Sequence, residues 1–112
     1  MGVVMPFPGA SGGQVGFERV ELERILSLYG RMVAAGHWRD YAISFDRDAA
    51  VFSAFRRAAE RPEIRIEKRP VLRLKQGQWA LVGEGGAILK RGQDLAPVLA
   101  PVERRLMKLV EE

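Results

Sequence analysis

Apolar positions along this chain recur with two different periods. Over residues 18–35, Leu22, Ile25, Leu26, Tyr29, Met32 and Val33 follow i, i+3, i+4 spacing, which predicts an amphipathic helix with one buried stripe. Glu18, Glu21 and Glu23 crowd its start, where the helix dipole favours anions. Gly36 stands where a left-handed C-cap belongs, and Trp38 is placed to fold back onto the last turn. From Tyr41 the period shortens to two. "YAISFDRDAAVFSAF" predicts a hairpin with a two-residue loop at Arg47-Asp48. That loop sets Ile43 opposite Phe52 and Phe45 opposite Ala50, so that Tyr41, Ile43, Phe45, Phe52 and Ala54 share one face. Val51 and Phe55 add apolar positions on the other face. A helix over 50–60, which would align Val51, Phe55 and Ala59, is the alternative for that segment.

Pro62 ends this segment. In "RPEIRIEKRPVLRLKQ", residues 61–76, alternation puts Glu63, Arg65, Glu67, Arg69, Val71, Arg73 and Lys75 on one face and Ile64, Ile66, Lys68, Pro70, Leu72 and Leu74 on the other. The parity holds through Pro70, which predicts one long strand with a bend or an edge at the proline, because proline cannot donate to a ladder. A two-residue turn at Gln76-Gly77 then pairs Leu74 with Trp79 and Leu72 with Leu81 facing inward, and Arg73 with Ala80 and Val71 with Val82 facing outward. Gly83-Glu84-Gly85-Gly86 predicts the next turn and "AILKRG" a fifth strand. Asp94 begins a last helix through Val110, with Leu95, Val98, Leu99, Val102, Leu106 and Leu109 apolar. Pro97 suits its first turn, whereas Pro101 predicts a kink or a restart. The expected fold is α+β: an N-terminal helix, a five-stranded antiparallel meander and a C-terminal helix, with both helices on one sheet face. Residues 1–16 hold five Gly, two Pro and no charged side chain. They predict a disordered tail ahead of a single domain over 17–112.

Composition narrows the classes. A chain of 112 residues, 47% hydrophobic and 29% charged, suits one soluble globular domain. No apolar run nears the length of a membrane span. The start has no basic region followed by an apolar stretch, so no secretory signal is expected, and Pro6 occupies the position where a myristoylation motif needs Ser or Thr. The lack of cysteine excludes disulfides and thiolate chemistry. A cytoplasmic protein with no membrane partner is the expectation. The net charge of +4 suggests an acidic partner. However, most of the basic residues are Arg while Asn, Thr and Cys are absent, a skew that GC-rich coding also produces. Taken by segment, the surplus falls in residues 63–93, with seven basic and three acidic groups.

The stretches "LYGRMVAAGHWRDYAISF", "FRRAAERP", "RIEKRP" and "GGAILKRGQDL" together resemble a small bacterial family of domains of unknown function, common among alphaproteobacteria, over roughly residues 17–110. The resemblance implies no activity, ligand, cofactor or catalytic residue. Candidate chemistry therefore rests on the residues themselves.

His37 is the only histidine, which excludes His-rich metal sites and paired-His acid–base schemes. Beside Trp38 and Asp40 it is a candidate base held by a carboxylate, against the plainer role of a loop residue after a helix. Ser11, Ser27, Ser44 and Ser53 lie in no nucleophile elbow. Asp46, Asp48 and Glu60 are candidate cation ligands, although "DRD" is ordinary turn chemistry and the pattern of a calcium loop is missing. "GEGGAILKRG" lacks the Gly-Lys-Ser/Thr that closes a phosphate loop. No enzyme, metal or cofactor is expected. Arg65, Arg69, Arg73 and Lys75 form a candidate nucleic-acid surface, with Lys90 and Arg91 nearby. The interleaved Glu63 and Glu67, and the lack of aromatics between the cations, suit instead the solvated side of a sheet. Val71, Val82 and Leu89, with Ala80 and Ala87, form a candidate apolar stripe for self-association. The expected function is a non-enzymatic domain that binds a protein partner or a second copy of itself. Nucleic-acid binding is the alternative.

Overall fold

The computed structural model describes residues 14–57 and 60–111. The chain runs through α1 (Arg19–Ala34), β1 (Asp40–Phe45), β2 (Ala50–Phe55), β3 (Ile64–Lys68), a 3-10 turn (Pro70–Leu72), β4 (Trp79–Gly83), β5 (Ile88–Gly92) and α2 (Leu95–Glu111). The five strands form one antiparallel sheet in chain order. This is the α+β meander with terminal helices that the alternating periods predict. Among the described residues no helix is long and apolar enough to cross a membrane.

Local chemistry sets the ends of α1. The Glu21 carboxylate reaches back to the Glu18 backbone N–H at 2.8 Å, half of a capping box. At the other end Gly36 takes a φ of 78°, and the N–H groups of Gly36 and His37 donate to the carbonyls of Val33 and Met32. This crossed pair is a Schellman motif, which needs a residue without Cβ strain at its centre. It turns the chain so that Trp38 folds back, buried, and stacks on Tyr29 with ring centroids 6.0 Å apart.

Residues 50–60 begin as a strand rather than a helix. β1 and β2 pair in the register expected from the sequence, Ile43 with Phe52 and Phe45 with Ala50. Ala50, Phe52 and Ala54 alternate inward on β2, Ile64, Ile66 and Lys68 on β3, and Trp79 and Leu81 on β4. Against them pack Ile25, Leu28 and Met32 of α1 and Val98, Leu99, Val102 and Leu106 of α2. Leu28 belongs to the buried stripe of α1, whereas Val33 at its far end is exposed. α2 runs unbroken through Pro101, so the expected restart does not occur.

The largest departure concerns the predicted long strand. β3 stops at Lys68, and Lys68 pairs with Trp79, Glu67 with Ala80, Ile66 with Leu81 and Arg65 with Val82. The expected partners lay six residues further on. The shift is even, so every β4 residue keeps its predicted face, because strand parity has a period of two. Pro70 explains the exit. It offers no N–H to the ladder but suits the first position of a 3-10 turn, and the Arg73 N–H donates to its carbonyl.

Residues 14–16 lie against the domain. The Val15 N–H donates to the Asp46 carbonyl at 2.7 Å and the Gln14 amide to that of Phe45 at 3.3 Å. The rest of the expected tail, residues 1–13, lies outside the described residues.

Candidate functional site

Of the four cations of the predicted basic face, Arg65 lies on β3 and Arg69, Arg73 and Lys75 lie beyond its end. Arg65 and Arg69 both lean on Glu67, each Nε 3.3 Å from a different carboxylate oxygen. Glu67 itself is largely covered, so this pairing occupies both of its oxygens. Arg73 and Lys75 lie beyond the strand, on the loop that joins β3 to β4, and both are exposed. Arg91 is turned to the base of that loop, where its Nη1 donates to the Gly77 carbonyl at 3.2 Å.

The predicted apolar stripe is likewise dispersed. Val82 is 3% exposed, flanked across the ladder by Arg65 and Ile88. Leu89 is 54% exposed and lies where a Cβ on Gly83 would point, the face opposite Val82. A register irregularity between Leu81 and Val82 breaks the alternation on which the stripe relied. Val71 is on the 3-10 turn and 74% exposed.

That turn opens an ordered loop. The Arg69 N–H donates to the Gln78 carbonyl at 2.7 Å and closes its base, and the Leu72 carbonyl receives the N–H groups of Lys75, Gln76 and Gly77. Gly77 takes a φ of 100° and passes so close to Gly92 that a Cβ would lie 2.7 Å from its carbonyl carbon, so only glycine fits there. The loop thus clamped presents Leu74, 90% exposed, and Val71 beside Arg73 and Lys75.

At the other end of β3 a polar network converges on Glu63, whose side chain is only 12% exposed. Trp38 Nε1 donates to its Oε1 at 2.7 Å, and Arg105 Nη2 reaches the same oxygen at 3.2 Å. His37 Nε2 lies 3.2 Å from Oε2, and Arg56 Nε 3.7 Å away from it. Burial pushes the Glu63 pKa up. The Trp38 hydrogen bond, then the charges of Arg105 and His37 and the Arg105 hydrogen bond, outweigh this and hold the carboxyl below its usual range. His37 Nε2 also touches Arg105 Nη2. A single ring nitrogen either accepts from Arg105 or donates to Glu63, so the two contacts compete. A carboxylate with both oxygens engaged and its basicity lowered is a poor proton acceptor. Its chemistry here is to hold four segments together: the loop after α1, the end of β2, the start of β3, and α2.

Sequence reasoning placed a carboxylate beside His37 but chose Asp40, its near neighbour. The partner is Glu63, 26 residues away. Lys68, expected to point inward, does so with compensation: its Nζ donates to Glu21 at 2.7 Å and to the Gly16 carbonyl at 3.2 Å, and lies over the Trp79 ring. Asp46, Asp48 and Glu60 do not assemble: among the described residues no group of three or more His, Asp or Glu is arranged to hold a metal ion. A polar cleft of about 230 Å³ opens beside Glu63, lined also by Arg56, Arg57, Glu60, Arg61 and Glu84. A separate apolar groove of about 370 Å³ lies between the C-terminal ends of the helices, along Ala34, Ala35, Leu106, Met107 and Val110.

A family model described as a protein of unknown function (DUF2794) matches residues 15–99. The match takes in α1, all five strands and the start of α2, and the chain belongs to that family. No curated protein and no solved structure matches it.

Proposed function

We propose that this member of the DUF2794 family is a non-enzymatic, cytoplasmic domain that binds an acidic surface of another protein through its β3–β4 loop. The observation that carries the proposal is Leu74, 90% exposed at the tip of a loop whose backbone is hydrogen-bonded at its base and through its turn. Leaving a leucine in water forgoes about 1.5–3 kcal/mol of burial. A loop already ordered in the unbound state avoids most of the entropy cost of docking. Val71 extends the apolar tip, and Arg73 and Lys75 frame it. An apolar centre with a charged rim is the usual anatomy of a protein interface, and the rim cations make an acidic partner the complementary one.

Two observations weigh against the other readings. Glu63, whose Oε1 accepts from Trp38 and Arg105 and whose Oε2 faces His37 and Arg56, has its basicity lowered, which argues against acid–base catalysis. Arg65 and Arg69 are committed to Glu67, so a nucleic acid would find chiefly Arg73 and Lys75. Two phosphate contacts give a salt slope of only about −1.8, and no aromatic stands on the loop to stack on a base.

The test is co-purification from the native lysate with wild type and Leu74→Asp, each with and without nuclease. The expected result is a protein partner that survives nuclease treatment and is lost with Leu74→Asp, while the thermal melt of the variant matches wild type. A partner retained by Leu74→Asp, or one released by nuclease, overturns the proposal.

A further inference from the structure

The polar cleft lies at the end of β3 away from the docking loop, and the inference drawn from it does not depend on that loop. Three of its lining residues, Arg56, Arg57 and Arg61, come from the short segment that follows β2. Their ion pairs are loose. Arg56 Nε stands 3.7 Å from Glu63 and Arg57 Nη1 3.9 Å from Glu60, both side chains being more than half exposed. Exposed pairs of this kind contribute little to stability, so both guanidiniums can turn to a ligand at small cost. Arg61 is exposed and makes no ion pair among the described residues.

The carboxylates of the cleft compete weakly. Glu63 forms its inner wall, but its charge is already met by Arg105, Trp38 and His37. Glu60 faces Arg57, which leaves Glu84, on the β4–β5 turn, as the one lining carboxylate without an ion pair among the described residues. With Arg105 behind Glu63, four guanidiniums surround three carboxylates. We infer that the cleft binds a small phosphate monoester dianion. The planar fork of arginine matches phosphate oxygens two at a time, and three forks converge here. At about 230 Å³ the cleft lies below the range of roughly 300–1,000 Å³ typical of drug-sized ligands. It therefore suits a phosphate carrying only a small substituent. The described lining residues include no aromatic and no aliphatic side chain, and none of them would hold a base or an acyl chain.

The ligand chemistry has several sources, and calorimetric titration at pH 7.5 and low salt separates them with inorganic phosphate, O-phosphoserine and glycerol 3-phosphate, with acetate as the monoanion control. At least one phosphate probe should bind with Kd below about 1 mM and at least tenfold more tightly than acetate. Arg56→Ala/Arg61→Ala should weaken that binding at least tenfold. Arg73→Ala/Lys75→Ala, which removes the same net charge elsewhere, should leave it within twofold. Arg61→Ala alone breaks no ion pair among the described residues and should weaken binding in the same direction, which keeps the test sound if the double variant folds poorly. Binding should also fall between pH 7 and pH 5, as the phosphate takes up its second proton. Equal affinity for acetate and phosphate, or equal losses from the two double variants, means an adventitious ion only and overturns the inference.

Discussion

Replacing Glu63 by Gln keeps the shape of the side chain and removes its charge. In the wild type, Trp38 Nε1 donates to an ionised oxygen at 2.7 Å. A hydrogen bond to a charged acceptor contributes about 1.5–3 kcal/mol, against about 0.5–1.5 for a neutral one, so that contact loses about 1 kcal/mol. Arg105 and Arg56 lie on the solvent side of the network, and such partly exposed pairs contribute about 0.2–1 kcal/mol each. The total loss is about 2 kcal/mol, equivalent to a fall in melting temperature of roughly 8–16 °C for a domain of this size. The pH dependence follows from the lowered pKa. A carboxyl whose folded pKa lies below its unfolded value, about 4.3 for Glu, contributes its full stability above that value. It loses the contribution as pH falls through the folded pKa. Urea unfolding from pH 7 to pH 3 should therefore show a gap between wild type and Glu63→Gln that is constant down to about pH 5 and closes below it. Equal stability at pH 7, or a gap that persists unchanged into acid, would refute the anchoring role given to Glu63.

Trp79→Ala should cost about 3–5 kcal/mol in urea unfolding, since Trp79 is buried, stacks on Phe17 and lies beneath Lys68; a loss below about 1 kcal/mol would contradict its inward position. Gly77→Ala should destabilise by about 1–3 kcal/mol and speed amide exchange over residues 70–78, because its φ of 100° and its contact with Gly92 leave no room for a Cβ; unchanged exchange would show that the loop is not clamped there. Val82→Glu would bury a charge whose nearest counter-ion across the ladder, Arg65, is already held by Glu67, and should destabilise the domain in urea unfolding, whereas unchanged stability would place Val82 on an open surface.

Much of this fold is legible in the chain. The 3.6-residue stripe of α1, the change to period two at Tyr41 and the short loop at Arg47-Asp48 fix the first helix, the first hairpin and its register. Local patterns carry these features, and the structure adds no competing term. The exit at Pro70 was harder to see. Alternation continues through Val71, Leu72, Arg73 and Leu74, so the pattern alone cannot tell a strand from a loop that shares its spacing. The missing N–H of proline decides the matter. The Glu63 network lies further out of reach. Its hydrogen-bonding partners stand 25 to 42 residues away, and alternation assigned Glu63 to a solvated face because it precedes Ile64 by one. The adjacent His37 and Trp38 were the one local hint, since a buried indole N–H calls for an acceptor.

The central claim, that the β3–β4 loop docks a protein, is tested most directly by photocrosslinking in the native host. A benzophenone amino acid is placed at position 74 and, as a control, at position 104, an exposed site on α2. The account predicts a protein crosslink at position 74 that is absent at 104, that maps to a peptide rich in Asp and Glu, and that disappears when Arg73 and Lys75 are changed to Glu. Crosslinking at 74 no stronger than at 104, or a crosslink to nucleic acid, would contradict it.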